Sequence, residues 1–249
     1  MKRINKNIFL VFFVLGLTSI INAQTNDSII NEAVKLFETR HLNSSNLVTS
    51  ANKLEQVLKD EPENLRLNYT LSQVYYTIGD HCEHKSEKLE NYNKGLAYGK
   101  KAMQIDDSCA LAHFWYMANL GQISQLKGIF NSLASVGEVK KEIDIVLKLD
   151  PNNAMAYNAK AMIYYELPGI LGGDVNKSIQ FLKKGLEIDP NYSMAYVSLG
   201  KCYIKKKDYK TARSYLNQVL ALENGWPIAD YVVDDKPEAI RLLKQIENK

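Results

Sequence analysis

After its first 23 residues this chain has no apolar run long enough to cross a bilayer, no long basic run and only three cysteines. Cys82, Cys109 and Cys202 are an odd number, so they cannot all pair. Cys109 and Cys202 lie in apolar helical patterns, which points to free buried thiols. None stands just after the N-terminal apolar run, so that boundary offers no lipid-attachment cysteine. The formal charge of +3 comes entirely from Lys2, Arg3 and Lys6, and the rest holds 28 basic against 28 acidic residues. A neutral body without a basic stripe has no electrostatic footprint for nucleic acid. No nucleophile stands beside a base and no ligand pairs stand at metal-motif spacing, so enzymes and cofactor carriers are not expected. Strand-like alternation of any convincing length is missing as well.

Residues 1–23 have the layout of a secretory signal. A positive start precedes the 14-residue run Ile8–Ile21, and Asn22-Ala23 offers a small residue for cleavage. As a helix the run would reach about 21 Å, short of a hydrocarbon core of roughly 30 Å. The expectation is export, cleavage near Ala23 and a soluble periplasmic chain without a transmembrane segment. Residues 24–249 then form one helical repeat domain.

The strongest signal is self-similarity. One phrase recurs at Val57–Pro62 (VLKDEP), Ala102–Asp107 (AMQIDD), Val146–Pro151 (VLKLDP), Gly185–Pro190 (GLEIDP) and Val219–Asn224 (VLALEN). Each closes an amphipathic stretch on an acid, and three add a proline, which cannot continue a helix. The phrase ends are 45, 44, 39 and 34 residues apart, and the last interval equals the tetratricopeptide period of about 34. That unit carries Tyr196, Leu199, Gly200 and Tyr203, then Ala212 and Leu216, matching the tetratricopeptide pattern of large plugs and small spacers. Gly200 and Ala212 let two helices approach, and the large residues fill the space between hairpins.

Earlier units fit with insertions. Residues 154–190 carry extra residues in Glu166–Asp174, and residues 110–151 open on a helix expected to reach about Leu133. Segments 28–38 and 45–59 read as a degenerate first pair. Lys236–Glu247 reads as a capping helix. The fold class is therefore all-α: a solenoid of tetratricopeptide-like hairpins with a C-terminal capping helix, about 10 to 13 helices in all.

Three short segments invite sharper functions. Gly172–Ser178 (GGDVNKS) lacks the glycines of a phosphate loop and has no preceding strand, so Asp174 is expected to cap the next helix instead. His81–His84 (HCEH) is rich in possible zinc ligands but has no partner pair, and a solvated loop is the plainer account. His113 takes a packing position that Tyr157 and Tyr196 hold in later units.

In such an array the first helix of each hairpin lines the concave face. The inward positions on this chain include Arg66, Tyr69, Gln73, Tyr76, Phe114, Asn158, Met162, Tyr165 and Lys201. Rigid tyrosine and flexible methionine suit an apolar peptide or a small hydrophobic ligand. Arg66 and Lys201 are the cations on that face and so the candidates for a ligand carboxylate.

The helix around His113-Phe-Trp-Tyr116, with Asn119–Gly121, Leu126–Gly128, the insertion Pro168–Asp174 and the closing segment Asp230–Lys244, resembles the T component of tripartite ATP-independent periplasmic (TRAP) transporters. Regulator of microtubule dynamics proteins are similar over the same middle region. The first resemblance implies a periplasmic helical-repeat protein that associates with a solute-binding protein or carries a hydrophobic ligand. The alternative is a general periplasmic scaffold for protein–protein interaction.

Overall fold

The computed structural model describes residues 26–249. The expected signal segment and its expected cleavage point lie outside the described residues. Five antiparallel hairpins follow one another: α1 (26–38) with α2 (Ser45–Leu58), α3 (Leu65–His81) with α4 (Lys85–Ile105), α5 (Ala110–Lys127) with α6 (Ile129–Leu149), α7 (Ala154–Glu166) with α8 (Val175–Ile188), and α9 (Ser193–Lys205) with α10 (Tyr209–Ala221). A short α11 (Ile228–Asp230), a π-helical turn (Tyr231–Asp235) and α12 (Lys236–Gln245) then run on without a break. No helix among the described residues is long and apolar enough to cross a membrane.

The recurring phrase has a clear physical job. Its first residue is buried in all five copies: Val57, Ala102, Val146, Gly185 and Val219. Each sits in the last turn of a second helix, where it packs on its own hairpin. The first helices begin on side-chain caps where the sequence provides them. Asn64 Oδ1 accepts from Leu67 N at 3.1 Å, and Asn153 Oδ1 accepts from Ala156 N at 2.9 Å. Asp174 caps α8 as expected, accepting from the Asn176 and Lys177 amides. A cap of this kind is typically worth about 1 kcal/mol.

One boundary differs from expectation. The helix starting at Ala110 stops at Lys127 and does not reach Leu133. Gly128 takes φ 100°, a region that L side chains avoid, and α6 begins at the next residue. The hairpin is thus closed by a single glycine.

Small residues set the close crossings. An added Cβ on Gly99 of α4 would lie 2.8 Å from Tyr116 Cα and 2.9 Å from Tyr116 N, both backbone atoms of α5. Beside it Ser72 Oγ donates to Gly95 O at 2.7 Å, and Asn119 Nδ2 donates to Trp115 O at 2.8 Å and to Ser72 O at 3.2 Å. These buried bonds tie α3, α4 and α5 into one unit. An added Cβ on Gly200 would lie 2.5 Å from Leu216 Cδ2 across the α9–α10 hairpin. A second buried polar link joins α5 to α6: His113 Nδ1 meets Glu142 Oε2 at 2.5 Å, while Nε2 meets Asp107 O at 2.7 Å. His113 is therefore a packed histidine, with a carboxyl partner that the sequence pattern did not reveal. The three cysteines are free.

Gly99→Ala should lower stability by about 2 kcal/mol, because backbone cannot move aside as a side chain can. Gly200→Leu should cost about 3 kcal/mol or more. Denaturant melts of both variants measure this; a wild-type midpoint for Gly99→Ala would mean that α4 and α5 do not cross as closely as described.

Candidate functional site

The C-terminal segment turns back into the concave side of the stack. Its path is set where the chain leaves α10. Trp226 N donates to Asn191 O at 2.8 Å, and Tyr192 and Trp226 form an isolated parallel bridge. Gly225 leaves room for the Tyr231 ring, which an added Cβ would meet at 2.3 Å, and Tyr231 OH donates to Leu222 O at 3.0 Å. From there α11 and the π-helical turn meet the opposite end of the array. Arg40, just after α1, forms an ion pair with Asp230, 190 residues away in sequence. His81, at the end of α3, lies 3.1 Å from Asp234.

The charges at this junction are perturbed by their surroundings. The Arg40 side chain is 4% exposed. Burial pulls its guanidinium down to about 10, against the opposing pull of Asp234. Its charge also stands over the Phe37 ring, 4.4 Å from the centroid. The hydrogen bond to Asp234 raises His81 above the usual histidine range, and burial opposes it. Asp235 is 1% exposed. Burial pushes its carboxyl up to about 7, while a 2.5 Å hydrogen bond from Ser193 Oγ pulls the other way. Its second oxygen, Oδ1, has no hydrogen-bond partner.

Between this segment and the hairpins lies a half-enclosed cavity of about 710 Å³. That is within the range of small-molecule sites, roughly 300–1,000 Å³. Phe114, Trp115 and Met117 of α5, Val139 and Ile143 of α6, and Met155 and Met162 of α7 supply apolar walls. Tyr192, Pro227, Asp230 and Asp235 line it from the C-terminal part. Ile129, Glu166 and Pro168 line it too and are exposed, so they mark the mouth. Phe130, 83% exposed, and Ile170, 94% exposed, are close neighbours in sequence of these mouth residues. The stack is loosest here: the α5–α6 hairpin meets α7 far less extensively than it meets α4.

Of the residues expected on the inward face, Tyr76, Phe114, Asn158 and Met162 come together in this cavity. Tyr76 OH accepts from Gln122 Nε2 at 3.2 Å, and Asn158 Oδ1 is buried without a partner. Arg66, Tyr69, Gln73, Tyr165 and Lys201 do not line it. Arg66 is exposed on the first turn of α3. Tyr69 and Gln73 sit further along that helix. Tyr165 packs against the α7–α9 core, with Lys205 Nζ over its ring at 4.4 Å. Lys201 is held by Glu238 at 3.0 Å. Arg66, Tyr69 and Gln73 stand on earlier turns of α3 than Tyr76, and Tyr165 turns into the α7–α9 core instead of the cavity. Neither cation foreseen for a ligand carboxylate is at the cavity. His81–His84 gather no metal cluster, and none of three or more potential ligands exists among the described residues.

Asp235 was the residue missed. It stands on an apolar stripe of the closing helix: Tyr231, Asp235, Ala239, Leu242 and Ile246 are all buried. An acid at a core position of that period was the available signal.

The family of regulator of microtubule dynamics proteins 1 to 3 matches residues 29–170, and a tetratricopeptide repeat matches residues 170–231. Over 184 residues the chain is 24% identical to regulator of microtubule dynamics protein 1 of Bos taurus, covering 66% of this chain and 56% of that protein. It is 24% identical over 176 residues to regulator of microtubule dynamics protein 2 of Rattus norvegicus, covering 64% of this chain and 43% of that protein. The chain thus spans about half the length of the curated relatives it matches. Among solved structures, a thermophilic tetratricopeptide protein of Thermus thermophilus is similar at TM-score 0.68 and 13% identity, covering 89% of this chain and 99% of that one. PilW, a type IV pilus biogenesis factor, is similar at TM-score 0.56 and 17% identity, covering 90% of this chain and 93% of that one. These structural likenesses show the fold.

Asp235→Asn tests the buried acid. A carboxyl raised from 3.8 to about 7 on folding destabilises the fold once pH exceeds the unfolded value. The cost grows as pH rises and levels off above about 7. The substitution should therefore stabilise the protein at pH 8 by up to about 4 kcal/mol, and the gain should shrink toward pH 4. Thermal melts across that range check it; a gain independent of pH would mean that Asp235 does not titrate as a buried acid.

Proposed function

Because the chain belongs to the family of regulator of microtubule dynamics proteins 1 to 3, we propose that it is an exported helical-repeat scaffold that acts by binding a protein partner, without catalysis. The observation that supports this most directly is the apolar mouth of the concave cavity. Ile129 lines it with an exposed side chain. Phe130 beside it on the first turn of α6, with Ile170 and Leu171 on the α7–α8 insertion just past the mouth residue Pro168, expose large apolar side chains as well. Exposed apolar clusters beside a concavity are a usual mark of interaction sites. Tetratricopeptide arrays offer such surfaces because each hairpin adds a small rotation to the last. Aromatic and branched residues of this kind serve as anchors when a partner desolvates them.

The cavity behind the mouth supports a second, compatible role: a small hydrophobic ligand held inside while a protein docks at the rim. Phe114, Trp115, Met155 and Met162 give it walls that can repack around an apolar body. A narrower assignment of the partner, a solute-binding protein of a TRAP-type transport system, rests on the sequence resemblance around residues 113–128 and 168–174 and on the N-terminal signal. The proposed setting is the periplasm, which residues 1–23 would reach as a signal peptide.

A photo-crosslinking amino acid at Phe130, in cells that express the full chain, tests the rim. The expected result is a discrete protein adduct at position 130 and none at Lys183, an exposed position on α8. Equal labelling at both positions would remove the rim as the docking surface. Loss of the adduct in a Phe130-labelled protein that also carries Ile170→Asp would show that the two sides of the mouth act together.

A further inference from the structure

The cavity is one-sided in its polar chemistry. Three carboxyl groups line it, Glu166, Asp230 and Asp235, and its lining includes no lysine, arginine or histidine. Asp230 is occupied by Arg40. Glu166 is exposed at the mouth. Asp235 remains in the interior, with Oδ2 bound by Ser193 Oγ and Oδ1 bound by nothing. Asn158, on α7, brings a second buried oxygen without a donor. Two unanswered acceptors, each shielded from solvent, thus belong to residues that line one apolar cavity, on different elements.

A buried acceptor left without a donor is costly, and the Asn158 oxygen and the ionised form of Asp235 both call for a donor. The nearby cations are engaged elsewhere. Lys201, on α9, is paired with Glu238. His81, on α3, faces Asp234, and Arg40 faces Asp230. The amide of Gln122, on α5, donates to Tyr76 OH. A ligand with a carboxylate or phosphate head would meet the Asp235 carboxyl and the Asn158 oxygen at this end, with the neutral phenols of Tyr76 and Tyr192 to donate to it and no cation to balance its charge. A ligand with an ammonium head would supply what both oxygens lack, and its charge would be countered by Asp235.

We propose that the cavity binds a small amphiphilic primary amine, its apolar body between Phe114, Val139 and Met162 and its protonated head at Asp235 and Asn158. The proposal rests on the cavity being a ligand site and adds the chemistry of the head group. It also reverses the polarity suggested by Arg66 and Lys201. Burial of the Asp235 carboxyl is consistent with it, since an acid that is hard to ionise alone becomes easy to ionise beside a bound cation.

The test is calorimetric titration of the full-length mature protein at pH 8 with decylamine, decanol and decanoate, each below its aggregation limit. Decylamine should bind at least tenfold more tightly than decanol, and decanoate should bind most weakly. Asp235→Asn should weaken decylamine by at least tenfold and leave decanol unchanged. Asn158→Leu should weaken decylamine in the same direction, and it serves if Asp235→Asn proves poorly folded. Equal affinity for decylamine and decanol, or an amine preference that survives both substitutions, would overturn the head-group assignment while leaving the cavity as an apolar site. If none of the three binds, the ligand role of the cavity itself falls.

Discussion

The close crossing of helices at small residues is the constraint on which everything else hangs. Where Gly99 meets the backbone of Tyr116, and where Gly200 meets Leu216, no Cβ can be accommodated without displacement. These contacts fix how far each helix can roll over its neighbour. The buried bonds among Ser72, Gly95 and Asn119 hold the same crossing by direction as well as by distance. A stack built from such rigid steps curves by a set amount per hairpin. The segment that leaves the fifth hairpin turns back through that curve and brings residue 230 to residue 40.

The site exists because of that return. A plain solenoid would present an open trough lined by its first helices. Here the π-helical turn crosses the trough and supplies a wall that no hairpin could. Together with α11 it brings in three acids at positions 230, 234 and 235, two of which find a basic partner and one of which does not. Paired charges fasten the segment, although buried pairs add little net stability and chiefly penalise wrong arrangements. The unpaired acid is different in kind, because it carries a cost that the fold alone does not relieve. Departures of this sort from full polar satisfaction are characteristic of functional positions.

The hairpins were legible because their signal is repeated and local. The phrase at the end of each second helix, the capping Asp174 and the close-approach Gly200 all follow from short-range pattern, and the structure has them where the pattern puts them. The helix end at Lys127 was not legible, because a glycine at position 128 is ambiguous until its backbone angle is known. The inward face was only partly legible. Tyr76, Phe114, Asn158 and Met162 share a cavity, whereas Arg66 stands exposed at the start of α3, turns away from Tyr76 on the same helix, and Lys201 is taken up by Glu238. Period predicts which side of a helix is inward. It does not predict where a long-range return will close the concavity, and that return decided the site.

Contact between α1's end and α11 changes how the array can come apart. In an open repeat array each unit touches only its neighbours, so an end hairpin can fray alone while the middle stays folded. Here Arg40 and Asp230 join the first hairpin to the closing segment, and the chain of neighbours becomes a loop. Fraying at either end must first break that long-range junction. A molecule that would otherwise melt piecemeal acquires cooperativity, and it also inherits the slower folding that contacts of high sequence separation impose.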